Sequence, residues 1–301
     1  MGGNIPSSEV RFDGCSGRVR DSKQVPEGGG ELDSRTWVLM GGGAAKGFAH
    51  IGAWKAIQEA EIPVAGIIGT STGAMMGAAL AGGRTVAELE EHCQTFRKRD
   101  VMRVNRRAVW VNGIRSPSMF RGDTLRHFIG DLLPTEHWRE LTIPLIVNAV
   151  DLASGEMVWF GHGGDMDVTL IDSVYASAAL PVLFPPAEVG ERILVDGGAL
   201  DMLPLGRAVQ MGATRIIAID VGAGPHADAR AVVDSGLIAV HQRVFSIMAG
   251  HMRRESVRNW TGVPLTYVQL DFKATDGFDF ERRHFFMEEG YRTTREALES
   301  C

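Results

Sequence analysis

The chain has 301 residues, enough to bury one large core or two modest ones. Its 45% hydrophobic and 23% charged residues are ordinary for a globular protein, and a net charge of −6 argues against nucleic acid as a main partner. Glycine departs from the norm, with 37 residues against a usual share of roughly 7%. Part of that excess falls at predicted strand ends, where backbone must approach something closely.

Residues 1–34 are rich in Gly, Ser and charge without hydrophobic periodicity, which predicts a disordered tail ahead of one domain, 35–301. The first twenty residues hold no apolar core of signal-peptide length, and a near-match to a myristoylation pattern fails at Pro6. Cys15, Cys93 and Cys301 are odd in number and far apart, without metal-ligand spacing. They read as free thiols of a reducing compartment, so the expected location is cytoplasmic, with at most peripheral membrane contact.

Order is expected to begin with a strand at TWVLM (36–40) that ends in Gly41-Gly42-Gly43. A helix follows from about Gly47, with Phe48, Ile51, Trp54 and Ile57 on one side. Pro63 restarts the chain into a strand, Val64–Ile68, and a second helix opens after Ser71. The uncharged run Ile62–Gly83 is long enough to span a bilayer. Its Pro63, six glycines and Thr70-Ser71-Thr72 instead favour a strand, a turn and a buried helix. The alternation of apolar strands with helices predicts an α/β fold whose mostly parallel sheet is covered on both faces.

Residues 84–140 are polar, basic and mostly helical in pattern, and are expected to cover the sheet edge or the site. Between Arg97 and Arg126 stand nine basic residues against Asp100 and Asp123 alone. The ordinary reading of 97–126 is a solvated helical face. The sharper reading is a surface for anionic lipid headgroups, with Trp110, Val111 and Phe120 as interfacial anchors. Strands are expected at 143–150 and 156–160, a small-residue helix at Asp172–Ala179, and a strand at 192–195 running into Asp196-Gly197-Gly198. A C-terminal extension, 226–301, follows a helix after Pro204 and a strand at 215–220. It offers a helix through Leu237, Val240, Val244 and Met248, a strand at 265–270 and a helix near 280–299.

Three loops at strand ends carry the chemistry. The first, GGGAAKG (41–47), is not a dinucleotide fingerprint, because Lys46 stands where a glycine is needed and the second strand ends without an acidic residue. It is not a Walker loop either, since Lys46-Gly47-Phe48 supplies no hydroxyl for Mg²⁺. A nest of backbone N–H groups for an oxyanion needs only the glycines and the helix start. The second loop, Gly69-Thr70-Ser71-Thr72-Gly73, matches a nucleophile elbow, a pattern that chance supplies in about one such chain in five. Its bland alternative is a helix N-cap. The third loop, Asp196-Gly197-Gly198, is by itself an ordinary turn. If all three strands are parallel, their carboxyl ends share one edge, where a donor nest, a hydroxyl and a carboxylate meet as in a serine hydrolase. The base remains open at this point: His226 or His241 would complete a Ser-Asp-His order, and His50 reads as structural.

The motifs GGGAAKGFAHIG, GTSTG and SAALPVLFPP…LVDGG…LP, running from Gly41 to Pro204, resemble the patatin-like phospholipases, including their bacterial serine esterases and lysophospholipases. The resemblance implies a three-layer α/β/α fold and a lipid ester as substrate, with no cofactor and no metal. Ser71 would be the nucleophile, Asp196 its base without any histidine, and Gly42, Gly43 and Ala44 the oxyanion donors. Gly41, Lys46, Gly47, Gly69, Gly73, Gly197 and Gly198 would support them. Ala44 stands where the family commonly has glycine, Lys46 where it has arginine, and Asp201 and Met202 where asparagines are common. An aspartate of ordinary pKa, near 3.9, is a weak base, so the site of Asp196 is expected to be partly desolvated. The reading from a different class is a non-catalytic lipid- or protein-binding relative of the same fold.

Overall fold

The computed structural model describes residues 35–105, 115–222, 227–272 and 277–300. The expected tail 1–34, Trp110, Val111, His226 and Cys301 lie outside the described residues. Eight strands form one sheet: β1 Thr36–Met40, β2 Val64–Gly69, β3 Leu145–Asp151, β4 Met157–Gly161, β5 Ala187–Val189, β6 Arg192–Asp196, β7 Arg215–Asp220 and β8 Leu265–Gln269. Their order is β5-β6-β3-β2-β1-β7-β8, with β4 also paired to β3. The run β3-β2-β1-β7-β8 is parallel, whereas β4, β5 and β6 pair antiparallel.

Both faces of the parallel centre are buried, so its strands read as unbroken apolar runs. Along β1, Val38 and Met40 join a large core under α1 (Ala49–Glu59), α2 (Thr72–Ala81), α3 (Val86–Thr95), α4 (Gly122–Leu132), α5 (Leu170–Ala178) and α9 (Arg283–Glu299). Trp37 and Leu39 face a smaller core that holds Leu205 and Ala208 of α6 (Leu205–Gln210), with Trp159, Val257 and Trp260 packed against it. The three layers expected of an α/β/α fold are present, one much thicker than the other. Two further helices, α7 (Ala229–Asp234) and α8 (Leu237–Arg258), lead into β8.

α2 explains why Ile62–Gly83 resembles a membrane span. Every residue from Gly73 to Ala81 is buried, so the helix is apolar all round, and β2 and a turn account for the rest of the run. None of the described helices is long and apolar enough to cross a membrane.

One expectation needs correction. β6 does not run parallel with β1 and β2, so its loop reaches their edge from the opposite direction. β4 lies along one edge of β3, opposite Ile146–Val150. β2 takes the other edge opposite Leu145–Val147, and β6 continues that edge opposite Ala149–Asp151 in the reverse sense. The carboxyl ends of β2 and β6 therefore meet head to head: Gly69 faces Val147, Asp196 faces Ala149, and only Asn148 stands between. Sequence pattern missed this because antiparallel and parallel strands of the same apolar composition look alike. The short β5 was also absent from the expected elements. Finally, the stripe that predicted α8 does not face the core, since Leu237 and Met248 are 74% and 57% exposed.

β8 and α9 belong to the sheet and its cover. α9 crosses α1 at a pair of glycines whose missing side chains let the backbones touch. A Cβ on Gly290 would lie 2.1 Å from the Ala49 carbonyl oxygen, and one on Gly52 would lie 1.9 Å from that of Met287. Alanine at position 290 gains about 1 kcal/mol in helix propensity but must push two backbones apart. Gly290→Ala should therefore destabilise the protein by about 1–3 kcal/mol, seen as a thermal midpoint several degrees lower with the far-ultraviolet spectrum retained.

Candidate active site

The glycine loop leaves β1 pinned from both sides. Gly41 donates its N–H to the Ile219 carbonyl at 3.1 Å, and its own carbonyl accepts from His50 Nε2 at 2.7 Å. His50 is fully buried, and burial pushes its pKa down to about 4 against the raising effect of that bond. It is a neutral imidazole whose Nε2 carries the proton, because a carbonyl can only accept. The structural reading of His50 therefore fits its place: it orients the loop and does not face Ser71 as a base.

Beyond Gly41, the loop closes onto the second motif. The Gly43 N–H donates to Thr72 Oγ1 at 3.1 Å, and a Cβ on Gly47 would lie 2.7 Å from the same hydroxyl. Ala44, in the position where glycine is common, adopts φ +51°, a left-handed conformation that strains an alanine by about 1–2 kcal/mol. Lys46 is buried and lies 5.9 Å over the Phe272 ring.

Ser71 stands between β2 and α2 at φ +57°, ψ −123°, an unusual backbone for a non-glycine residue. The flanking glycines make that turn possible. A Cβ on Gly73 would lie 1.9 Å from the Met40 carbonyl oxygen, and one on Gly69 would lie 2.5 Å from the Ala74 Cα. The clearance they supply is for the turn's own backbone and for β1. Ser71 makes no side-chain cap to α2, which sets aside the helix-cap reading. Its backbone N–H donates instead to Ser177 Oγ at 2.9 Å.

Asp196 arrives on the end of β6, with 1% of its surface exposed. Its N–H donates to the Ala179 carbonyl at 3.1 Å, and its Oδ1 accepts from the Gly198 N–H at 2.8 Å. The C-terminal end of α5 and its cap thus hold both candidates, Ser71 through Ser177 and Asp196 through Ala179. Ser177 lies within the SAALP motif, and a serine inside a small-residue helix gives no signal of its own in the sequence. Asn148 is the second residue that sequence reading missed. It packs against Gly197, where a Cβ would lie 2.6 Å from its side chain, and its Nδ2 donates to the Asp201 carbonyl at 3.0 Å.

Burial raises the Asp196 pKa from 3.8 to about 6, with the Ser71 hydroxyl and the Gly198 N–H pulling the other way. The Ser71 influence falls short of an aligned hydrogen bond, because Asp196 Oδ2 is buried with no partner. The Ser71 hydroxyl is thus close enough to act on the carboxylate without being bonded to it. His241 does not line the cavity that holds them.

Gly42 completes the cluster. A Cβ there would lie 2.7 Å from the Ser71 Cβ and 2.7 Å from Met202 Sδ. Its N–H donates to that sulfur at 3.1 Å. Met202, at a position where asparagine is common, thus occupies the one acceptor position that this N–H addresses. Two cavities meet at Ser71 and Ala44. One is an apolar pocket of about 80 Å³ walled by Met75, Met76, Phe128 and Phe280; the other is a groove of about 860 Å³ that also reaches Asp196, Lys98 and Arg243. Phe120 lines the groove and packs 5.9 Å from Phe184, so it is turned inward and not outward as an anchor.

Residues 38–209 match the family model described as patatin-like phospholipase. An uncharacterised NTE family protein of Mycobacterium tuberculosis is 32% identical over 203 residues, 66% of this chain and 53% of the relative. Patatin-like phospholipase domain-containing protein 6 of Homo sapiens is 30% identical over 200 residues, 66% of this chain but 14% of the relative. The chain therefore spans about half the length of the mycobacterial relative and far less of the human one. The crystal structure of VipD from Legionella pneumophila shares the fold, with a TM-score of 0.50 at 17% identity over 89% of this chain and 67% of that one. With a family match over more than half its length and its three glycine loops gathered at one point of such a fold, the chain belongs to the patatin-like phospholipase family.

Proposed function

We propose that the protein is a serine acyl hydrolase of lipid esters working through Ser71 and Asp196 alone. The observation that carries this is a strained serine facing a desolvated carboxylate whose Oδ2 has no other partner. In the proposed reaction, the Asp196 carboxylate takes the Ser71 proton as Oγ attacks the ester carbonyl. The oxyanion is held by the N–H groups of Gly42, Gly43 and Ala44, and the positive end of α2 favours the developing charge. The tetrahedral intermediate collapses, and the alcohol leaves with the proton from Asp196. Water, deprotonated by the same carboxylate, then attacks the acyl-enzyme, and Asp196 returns that proton to Ser71 Oγ as the fatty acid leaves. The apolar pocket suits the acyl chain, and its methionines can shift to admit a longer one. The groove, with Lys98 and Arg243 on its wall, suits the remainder of an anionic lipid.

Fluorophosphonate labelling tests the nucleophile. Wild-type protein should be labelled and Ser71→Ala should not; unlabelled, folded wild-type protein would instead support the binding-module reading. That second reading has one observation in its favour, the engagement of the Gly42 and Gly43 N–H groups by Met202 and Thr72.

Since the ionised form of Asp196 is the base, kcat/KM should rise through about pH 6 and level off above it. Asp196→Asn should abolish turnover and also raise stability at neutral pH. The folded pKa lies above the unfolded 3.8, so the carboxylate's burden is absent below pH 3.8, grows between there and about pH 6, and is complete above. Its full size is on the order of 3 kcal/mol, and Asn can still accept from the Gly198 N–H. Thermal unfolding should show the variant ahead of wild type at pH 8 and level with it at pH 4.

In turnover the Met202 thioether must yield the Gly42 N–H to the substrate oxygen. Met202→Leu keeps the volume and removes that acceptor, a bond worth about 1 kcal/mol. Ester turnover should rise about fivefold; a fall of more than tenfold would mean that the sulfur helps the reaction.

A further inference from the structure

We propose that α8 docks the protein on an anionic lipid surface, with its outer apolar face as the contact. α8 has two apolar faces. The inner one, through Ile238, Ala239, Phe245 and Ala249, walls the groove that leads to Ser71. The outer one is formed by Leu237, Val244, Ile247 and Met248, continued by Val233 on α7, and none of these lines the groove. Eleven large hydrophobic side chains are exposed among the described residues, and these five fall within the sixteen positions 233–248. Scattered exposure needs no explanation, but a stripe rising about 17 Å along one helix is a contact surface.

Attachment to the body is thin on this helix. Of its 22 residues only Ala249, Gly250 and Arg253 are buried, and Arg253 is tied to Asp220 at 3.0 Å. The stripe therefore stands clear of the core and is available to a flat surface.

Charge identifies the surface. In a chain of net charge −6, α8 carries Arg243, Arg254 and Arg258 against Glu255 alone, the charge of Arg253 being buried against Asp220; on α7, Asp228 caps the helix and Asp234 pairs with Arg230. Arg254 and Arg258 are exposed, and Arg243 joins Lys98 on the groove wall. A second copy of the same face would set these arginines against their own kind, whereas anionic headgroups complement them. An apolar stripe beside basic residues is the pattern of a helix lying in a lipid interface. This placement differs from the 97–126 surface, whose Phe120 is turned into the groove. It rests on the proposed function only for the use of the docked state, in which the wall of the groove to Ser71 and the docking stripe would be two faces of one helix.

Sedimentation with vesicles tests the proposal. Wild-type protein should sediment with vesicles of equal parts phosphatidylcholine and phosphatidylglycerol, and less with phosphatidylcholine alone. Ile247→Glu with Met248→Glu should lower the partition coefficient at least about tenfold while the thermal midpoint stays that of wild type. The milder pair Ile247→Ser with Met248→Ser should move it in the same direction. Ser71→Ala should sediment as wild type does, so that docking is judged apart from catalysis. Wild-type protein that stays in solution, or a glutamate pair that sediments unchanged, would overturn the proposal. A wild-type dimer that the glutamate pair converts to monomer would overturn it too, in favour of a second copy on this face.

Discussion

Everything at the site depends on one edge of β3 being shared by two strands that run towards each other. β2 ends opposite Val147 and β6 ends opposite Ala149, so the loops they lead into have to occupy the same small volume. Ladder pairing along β3 fixes both strands in register, and a slip by one residue would turn their side chains to the other face. The serine and the aspartate are thus placed by backbone hydrogen bonds, and the α5 segment locks them further through Ser177 and Ala179.

The same arrangement desolvates Asp196. Buried with one backbone donor and one oxygen without a partner, its carboxyl is lifted to about 6. The proposed basicity and the burial are one fact, and the cost falls on folding stability. Strain at Ser71 and Ala44 belongs to the same trade, since both hold left-handed backbones that a relaxed chain avoids. The glycines around them matter for what they leave out: a side chain at Gly42, Gly69, Gly73 or Gly197 would collide with the site's own walls.

Met202 and α8 show how the site meets its surroundings. The thioether accepts from the Gly42 N–H and packs where a side chain on Gly198 would stand, so the loop after β1 and the turn after β6 meet on one sulfur. α8 forms the outer wall of the groove with one face and offers the other to solvent. The proposed chemistry and the proposed access would therefore fall to separate parts, a rigid sheet edge and a lightly attached helix.

Much of this was legible in the sequence. The apolar runs of β1, β2 and β7, the helix faces of α1, and the three glycine loops followed from periodicity and composition, because they are local consequences of burial and backbone freedom. The GTSTG and DGG motifs named Ser71 and Asp196, and the resemblance made them partners. Tertiary structure alone decided how they meet: β6 runs antiparallel, a property of pairing between segments far apart that residue types do not encode. It alone placed Ser177 and Asn148 at the site, each an ordinary residue made important by a distant neighbour, and it set the Met202 sulfur on the Gly42 N–H. It also turned the stripe of α8 outward, since helical periodicity records that a face is apolar and leaves to packing what will cover it.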